Sequence, residues 1–382
     1  MTTPTNARRP DVIVAGAGLH GLSAALHLAR AGLKPLVLEK DYPGRHASGV
    51  NAGGVRRLGR HLAEVPLSVE AMKIWHDISG LVGDDCGFTR CGQIKIAETE
   101  TELDKLRARA RDVRALGFDH EEIIGRDELR EHIPAIAPHC VGAMICRDDG
   151  AALPFRTVIA FARRARALGV DIREDCPVTS IRREGGIWRV EAGGRRFEAP
   201  VIVNAAGAWA GHLAGMAGDP VPVQAQAPML MITERVAPFI KPVVGAAGRT
   251  LSFKQFDNGT VLIGGGLRGH AVPERNLTSI RLAAMRTSAQ TVGALFPQLS
   301  ATRIVRFWAG IEAVMPDEIP VIGKSPNAEG LFHSFGYSAH GFQLAPVTGG
   351  IVANLVMHGR AGMPIEAFRP DRFNARGEAV VA

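Results

Sequence analysis

Long hydrophobic runs are missing from this chain. No apolar stretch reaches the roughly 18 residues that a membrane-spanning helix needs. The longest charge-free apolar segment near its end, Phe342 to Met357, is interrupted by Gln343, Pro346, Thr348 and the pair Gly349-Gly350. A bilayer span is therefore not expected. Cysteine is scarce: five residues, Cys86, Cys91, Cys140, Cys146 and Cys176. They form no CxxC pair and no metal-ligand spacing, so no disulfide framework and no metal site is expected. They read as free thiols in a reducing cytoplasm. Aromatic side chains make up only 5% of the chain. That poverty argues against a base-stacking, nucleic-acid-binding surface. No internal repeat is visible, which excludes solenoids and propellers.

What is present points to a glycine-loop enzyme. The 382 residues suggest two domains, interleaved, and 46% hydrophobic residues supply a sizeable core. The formal net charge of +7 suits anionic ligands through electrostatic steering. The runs KLRARARDVR (105–114) and RRAR (163–166) lie in helical patterns. They read as solvated helix faces, with a partner or nucleic-acid patch as the alternative. Arg8-Arg9 precedes an apolar stretch as an export signal would. Asp11 and the following glycines interrupt that pattern, and no small-residue cleavage site follows. A cytoplasmic location is expected.

The stretch DVIVAGAGLHG (11–21) carries the clearest chemistry. VIVAG has the pattern of a buried strand, and apolar residues from Leu19 to Ala31 recur at helical spacing. Between them Gly16 permits a tight turn, Gly18 lets backbone approach a pyrophosphate, and Gly21 lets the helix lie close to the strand. Leu19 and His20 sit inside this loop, where free helix N–H groups face the phosphates. A second strand, PLVLE, ends in Glu39, with Lys40 beside it. An acid at that place accepts the ribose hydroxyls of an adenosine and disfavours a 2′-phosphate. The motif does not separate NAD from FAD. NAD folds usually go on alternating strand and helix. Here a second small-residue loop follows instead, Ser48-Gly49-Val50-Asn51-Ala52-Gly53-Gly54-Val55. It can run along a pyrophosphate to a flavin ring; the alternative is a surface loop.

Helical patterns fill 64–79, 100–116 and 153–169, and GQIKIAE (92–98) reads as a strand. Five short strand candidates follow between 169 and 207, with Gly-Gly turns at 185–186 and 193–194. The last runs into Ala206, Gly207 and Trp209. QAPMLMITE, LSFKQF, TVLIGGG and RIVRFWAGIEAV read as strands around a helix at 275–296. LFHSFG (331–336) is one more buried strand, and a helix starts at Gly341. The expected fold is α/β (α+β). A Rossmann-like FAD-binding domain (1–85, 145–220 and 318–382) is interleaved with a mainly antiparallel-sheet substrate domain (86–144 and 221–317).

The ordered set GAGLHG, LEK, SGVNAGGV, VNAAGAW, PDEIPVIG (316–323) and FGYSAHGFQLAP (335–346) resembles the D-amino acid oxidase superfamily of FAD enzymes, over nearly the whole chain. Its nearest members are similar to glycine oxidase, sarcosine oxidase catalytic subunits, and opine or hydroxyproline dehydrogenase catalytic subunits. The resemblance implies an antiparallel sheet roofing the flavin. It implies hydride transfer from the carbon beside an amine nitrogen to flavin N5, giving an imine that water hydrolyses. By position it assigns Gly16, Gly18 and Gly21 to the pyrophosphate and Glu39 to the ribose. Ser48 and Asn51, Ala52, Gly53 and Gly54 lead toward the flavin. The Val178 backbone meets adenine, and Ala206, Gly207 and Trp209 end the strand beside the cofactor. Gly341, Phe342, Gln343 and Leu344 form the helix start aimed at the pyrimidine ring, where reduction places negative charge.

Departures from the family pattern are equally informative. Gly310 stands where monomeric sarcosine oxidase attaches FAD through a Cys, so the FAD is expected to be non-covalent. Leu262 replaces a roof-strand Lys that activates O2, which weakens an oxidase reading. Leu153-Pro154 replaces the Lys-His pair that carries a second flavin. Arg57 matches a carboxylate-binding Arg, with Arg56 able to swap roles; Gln343 replaces its helper Lys. Arg268, His340 and His270 are further candidates for substrate binding or proton transfer. Tyr337 and Trp308 are candidates to wall an amine pocket. For each of these the alternative is an ordinary structural role. The expected activity is FAD-dependent oxidation of an amino acid or secondary amine, with a small amino acid, imino acid or opine as the expected substrate. Small electron-transfer subunits or a homo-oligomer are possible partners. The alternatives are an opine or D-hydroxyproline dehydrogenase catalytic subunit, or a flavin-binding assembly protein.

Overall fold

The computed structural model describes residues 9–373. Arg8 and the outer ends of the expected segments 1–85 and 318–382 lie outside the described residues.

Strand Val12–Ala15 is buried at every position because it is covered on both faces and paired on both edges. Parallel strands in such a place read as continuous apolar runs. It is central to a six-stranded sheet in the order Val321–Lys324, Leu331–Phe335, Val201–Asn204, Val12–Ala15, Pro35–Leu38, Asp171–Arg173. Only the first pair is antiparallel. Chain segments from the start, the middle and the end thus meet in one sheet. Helix Leu19–Arg30 packs on the C-terminal helix Gly341–His358. They touch at Gly349, where an added Cβ would stand 2.1 Å from Ser23 Oγ. The glycine pair that interrupts the apolar run is this crossing point.

The second sheet is built largely from 93–146 and 224–314. Its order is Leu277–Ser279, Arg268–Val272, Gln224–Arg235, Thr260–Gly264, Ser252–Gln255, Val243–Ala246, Gln93–Ala97, Gly142–Cys146, Glu122–Gly125. All these pairings are antiparallel except Val243–Ala246 with Gln93–Ala97. A separate meander, Val178–Glu184, Ile187–Ala192 and Arg195–Ala199, turns at the expected Gly-Gly pairs.

Three expectations need correction. The helix expected at 275–296 begins at Leu282. Asn276 adopts φ +57°, and Leu277–Ser279 pairs with Arg268–Val272, so strand pairing overrides the apolar spacing. RIVRFWAGIEAV is not one strand. It breaks at Gly310-Ile311 into Ile304–Ala309 and Glu312–Val314, and both pieces pair with Gln224–Arg235. The SGVNAGGV loop holds one helical turn, Ala47–Val50, and a two-residue strand, Gly54–Val55.

Candidate active site at the junction of the two sheets

Two cavities of about 490 and 400 Å³ lie between the sheets. They share Gly18, Ala47, Ser48, Ala205, Gly207 and Ala313, and so form one elongated slot. The glycine turn shapes its waist. Gly16 adopts φ +102°, and a Cβ there would stand 2.5 Å from Ala205 O. A Cβ on Gly21 would stand 2.0 Å from Gly16 O, so its role is packing rather than lining. Ser48 Oγ accepts the Leu19 N–H at 2.9 Å and ties the two loops together.

The smaller cavity is lined by Gly16, Glu39, Lys40, Val178, Ala206 and Trp209. Glu39 is buried, and burial pushes its carboxyl above the usual range. Its oxygens accept the N–H groups of Ala17 (2.7 Å) and Asp41 (2.9 Å). A carboxylate has about four lone-pair sites, so acceptor capacity remains for sugar hydroxyls. The rim is closed by polar contacts. Lys40 Nζ lies 4.0 Å from the Trp209 ring centroid and donates to Asn276 Oδ1 at 2.7 Å.

The larger cavity receives Leu19, His20, Asn51, Ala52, Gly53, Gly54, Gly310, Gly341 and Phe342. Asn51 organises its own loop. Its Oδ1 accepts the Gly53 N–H at 2.7 Å, and its Nδ2 donates to Ala47 O at 2.9 Å. At Gly310 a Cβ would stand 2.2 Å from Val50 Cγ2, so the backbone itself forms the wall. The Gln343 and Leu344 side chains do not reach this cavity. Gln343 is fully buried and donates to Ser68 O at 2.8 Å, while Leu344 is core. Of these two positions only Gln343 keeps its backbone N–H within the unbonded first turn of the helix. These features fit a flavin dinucleotide: glycine walls where backbone approaches closely, an acid at the ribose end, and a helix N-terminus at the other.

The expected substrate residues divide. Tyr337 and Arg268 line the larger cavity. Tyr337 stacks on His20 at 3.5 Å between ring centroids, and its hydroxyl shares a 2.7 Å hydrogen bond with Ser334. Burial pushes the Tyr337 phenol up and the His20 imidazole down to about 3, so both stay neutral. Arg57, His340, Trp308 and His270 are not among the lining residues. Arg57 turns to Asp149, with Nε donating to Oδ1 at 3.0 Å. His340 Nδ1 meets Glu64 Oε2 at 2.9 Å, on a side where Arg60 donates to its backbone oxygen. The Trp308 indole donates to Val50 O at 2.9 Å, steadying the Ala47–Val50 turn. His270 lies on an exposed strand. Each is held by a structural partner or by its strand position, which local spacing does not reveal.

Three residues at or beside the larger cavity, Lys95, Glu312 and Lys254, escaped the sequence reading of its chemistry, and a fourth, Arg56, was expected only as the stand-in for Arg57. Arg56 takes the wall that was expected for Arg57, because strand alternation at Val55 reverses which side faces inward. Lys95 lines the same wall. Arg56 Nη1 and Lys95 Nζ lie 3.8 and 3.9 Å from one point, the Cβ position above Gly59. Burial lowers both of their pKa values, and mutual repulsion adds to it for Lys95. The nearby Glu121 is committed elsewhere, accepting from Gly59 N at 2.6 Å and Arg109 Nε at 3.0 Å. Glu312 lines the same cavity. Lys254 is buried, with burial pushing its ammonium down to about 8. It pairs directly with Leu262 in the ladder, and its Nζ lies 3.1 Å from the Cβ position of Gly53. A lysine is therefore present beside the 51–54 loop, one strand away from the position read as lacking it.

The family model for DAO, FAD dependent oxidoreductase, matches residues 11–355. The chain is 29% identical over 372 residues to the sarcosine oxidase beta subunit of Rhizobium meliloti (strain 1021), spanning 95% of this chain and 88% of that protein. It is 27% identical over 380 residues to a subunit of opine oxidase from Rhizobium meliloti, spanning 96% and 98%. The crystal structure of L-proline dehydrogenase from P. horikoshii superposes with a TM-score of 0.89 at 25% identity, covering 97% of this chain and 99% of that one. The match runs through both sheets and the loops that line the slot, and it makes this chain a member of the DAO family of FAD-dependent oxidoreductases.

Proposed function

We propose that this oxidoreductase removes a hydride from the carbon beside the nitrogen of a small amino or imino acid held by Arg56 and Lys95. The product is an imine, which water hydrolyses. The observation that carries this reading is the adjacent Arg56 and Lys95 on the cavity wall, with Glu121 turned to other donors. Among the described residues neither cation forms an ion pair, and Glu64, Asp149 and Glu121 act on Arg56, and Glu121 on Lys95, only from a distance, so both desolvated cations gain from a bound anion. When bound, FAD supplies the hydride acceptor. The protein's part is orientation and exclusion of water, through Tyr337, Phe342 and the roof residues Pro228 and Leu230. The test is anaerobic mixing of the purified protein with amino acids, N-methyl amino acids, opines and cyclic imino acids. Bleaching of the flavin by at least one of them is expected. No bleaching by any would favour a flavin-binding assembly role.

A second reading, as one component of an opine or imino-acid dehydrogenase complex, is favoured by one surface feature. Leu153, Phe155 and Ile159 expose 40%, 60% and 46% of their surfaces at the start of helix Pro154–Ala167. Co-purification with small subunits from the native source would support it. The FAD-binding segments proposed are those read from the sequence, within residues 9–373.

Attachment of FAD is proposed to be non-covalent, since Gly310 offers no nucleophile. Acid precipitation should leave the yellow colour in the supernatant; colour in the pellet refutes it. Glu39→Ala should raise the FAD dissociation constant. Each charge-assisted bond to the ribose is worth roughly 1.5–3 kcal/mol. An unchanged constant would show that Glu39 does not touch the sugar.

A further inference from the structure

We infer that Glu312 takes the proton from the substrate ammonium, an inference that rests on the amine-oxidising reading above. An ammonium nitrogen has no lone pair to assist departure of a hydride from the neighbouring carbon. The proton must leave first. The step is R2NH2⁺ plus the Glu312 carboxylate giving R2NH plus the Glu312 carboxylic acid. No other reactant is consumed.

Glu312 is the one carboxylate among the described residues lining the larger cavity, against the cations Arg56, Lys95, Arg249 and Arg268. Arg249 is already held by both oxygens of Glu98. A zwitterion entering this space finds cations for its carboxylate and a single acidic partner for its nitrogen. Glu312 lies two residues after the Gly310 wall. Its Oε1 accepts the Ala339 N–H at 2.7 Å, immediately before the helix that starts at Gly341. It therefore bridges two segments at the flavin end of the slot. The donor is held in an unusual way. Ser338 and Ala339 are consecutive non-glycine residues with φ +47° and +69°. Backbone held in such regions collects at functional sites. One oxygen is anchored by this N–H, which leaves the other to accept a proton.

The electrostatics agree. Burial raises the Glu312 carboxyl to about 7, against the opposing pulls of the Ala339 N–H and Arg268. Arg268, from the strand Arg268–Val272, is the charged group facing it. Gln226, its ladder partner on Gln224–Arg235, and the segment Gly207–Trp209 packed on its strand bring no charge. A group titrating near neutrality suits proton transfer at working pH.

The experiment compares wild type, Glu312→Gln and Glu312→Asp. Anaerobic stopped-flow reduction is followed from pH 6 to pH 10 with sarcosine, glycine, proline and iminodiacetate. Gln keeps an acceptor for the Ala339 N–H, and FAD content checks the fold. In wild type the limiting reduction rate should rise through an apparent pKa near 7. In Glu312→Gln it should fall roughly 10²-fold at pH 7 and recover at high pH, where the amine deprotonates unaided. Glu312→Asp should retain part of the near-neutral limb. Infrared titration supplies a readout apart from turnover: a carboxylic-acid C=O band lost near pH 7 in wild type should be missing in Glu312→Gln. Identical pH profiles in wild type and Glu312→Gln would overturn this inference alone. So would an unchanged profile with altered preference among the four amines, which would make Glu312 a specificity contact. No reduction by any of the four would remove both this inference and the proposed function for them.

Discussion

Arg56→Ala should slow reduction of the enzyme by its amine substrate by about 2–4 kcal/mol in the activation barrier, a loss of roughly 30- to 1,000-fold. The side chain lines the larger cavity beside Lys95, and burial already strains its charge. Removing it leaves a substrate carboxylate with one point cation instead of a planar fork and a cation. Arg56→Lys should recover only part of the loss, because an ammonium does not form two parallel bonds to one carboxylate. FAD content should stay normal, since the slot's glycine loops, Glu39 and the helix start are untouched. The check is anaerobic stopped-flow reduction after FAD occupancy has been matched. Arg57→Ala is the control with the opposite signature. Its guanidinium is held by Asp149, so it should lose stability at matched occupancy rather than reduction rate. Normal reduction kinetics in Arg56→Ala would remove this residue from the substrate site and leave Lys95 or Arg268.

The neighbouring arginines show what a sequence carries and what it withholds. The dinucleotide end was legible because each feature there is local. Gly16, Gly18 and Gly21 satisfy backbone requirements within a few residues, and Glu39 closes the next strand. The structure places Gly16, Gly18 and Glu39 around the smaller cavity, with Gly21 packed behind Gly16. The substrate end depends on side-chain direction, and a one-residue slip reverses it. Arg56 and Arg57 are equivalent by composition and differ only in which side of Gly54–Val55 they continue from. Lys254 and Leu262 show the same limit across strands. Reading along TVLIGGG finds no lysine, yet the adjacent strand supplies one at the paired position. Glu312 carries no signal of its own within RIVRFWAGIEAV, because an acid in a strand usually faces water. Its meaning comes from Ala339, whose left-handed backbone no spacing rule announces.

Asp149→Ala should lower stability by about 3–5 kcal/mol, the usual cost of stripping one partner from a buried charge pair. Asp149 is fully buried. Its Oδ2 accepts the N–H groups of Arg57 at 2.7 Å and Leu58 at 2.9 Å, and its Oδ1 accepts Arg57 Nε at 3.0 Å. The alanine variant orphans all three donors, and the Arg57 side chain is only 12% exposed. Water gives that guanidinium little compensation. For a chain of this size the loss corresponds to a fall of about 5 °C in the unfolding midpoint. Asp149→Asn should cost less, because the amide oxygen still accepts backbone N–H groups while the charge is lost. A second effect should accompany the first. Asp149 fixes the backbone just after Gly54–Val55, and Arg56 lies between that strand and the anchored N–H of Arg57. Loosening the anchor should therefore widen the spread of Arg56 orientations and weaken substrate reduction, even where the protein stays folded. Thermal unfolding of wild type and both variants at equal FAD occupancy measures the first effect, and anaerobic reduction below the midpoint measures the second. An alanine variant that melts with wild type would show that Arg57 and the two backbone donors find other partners. A variant that melts early yet reduces normally would show that Arg56 is held from its own side of the cavity, independently of Asp149.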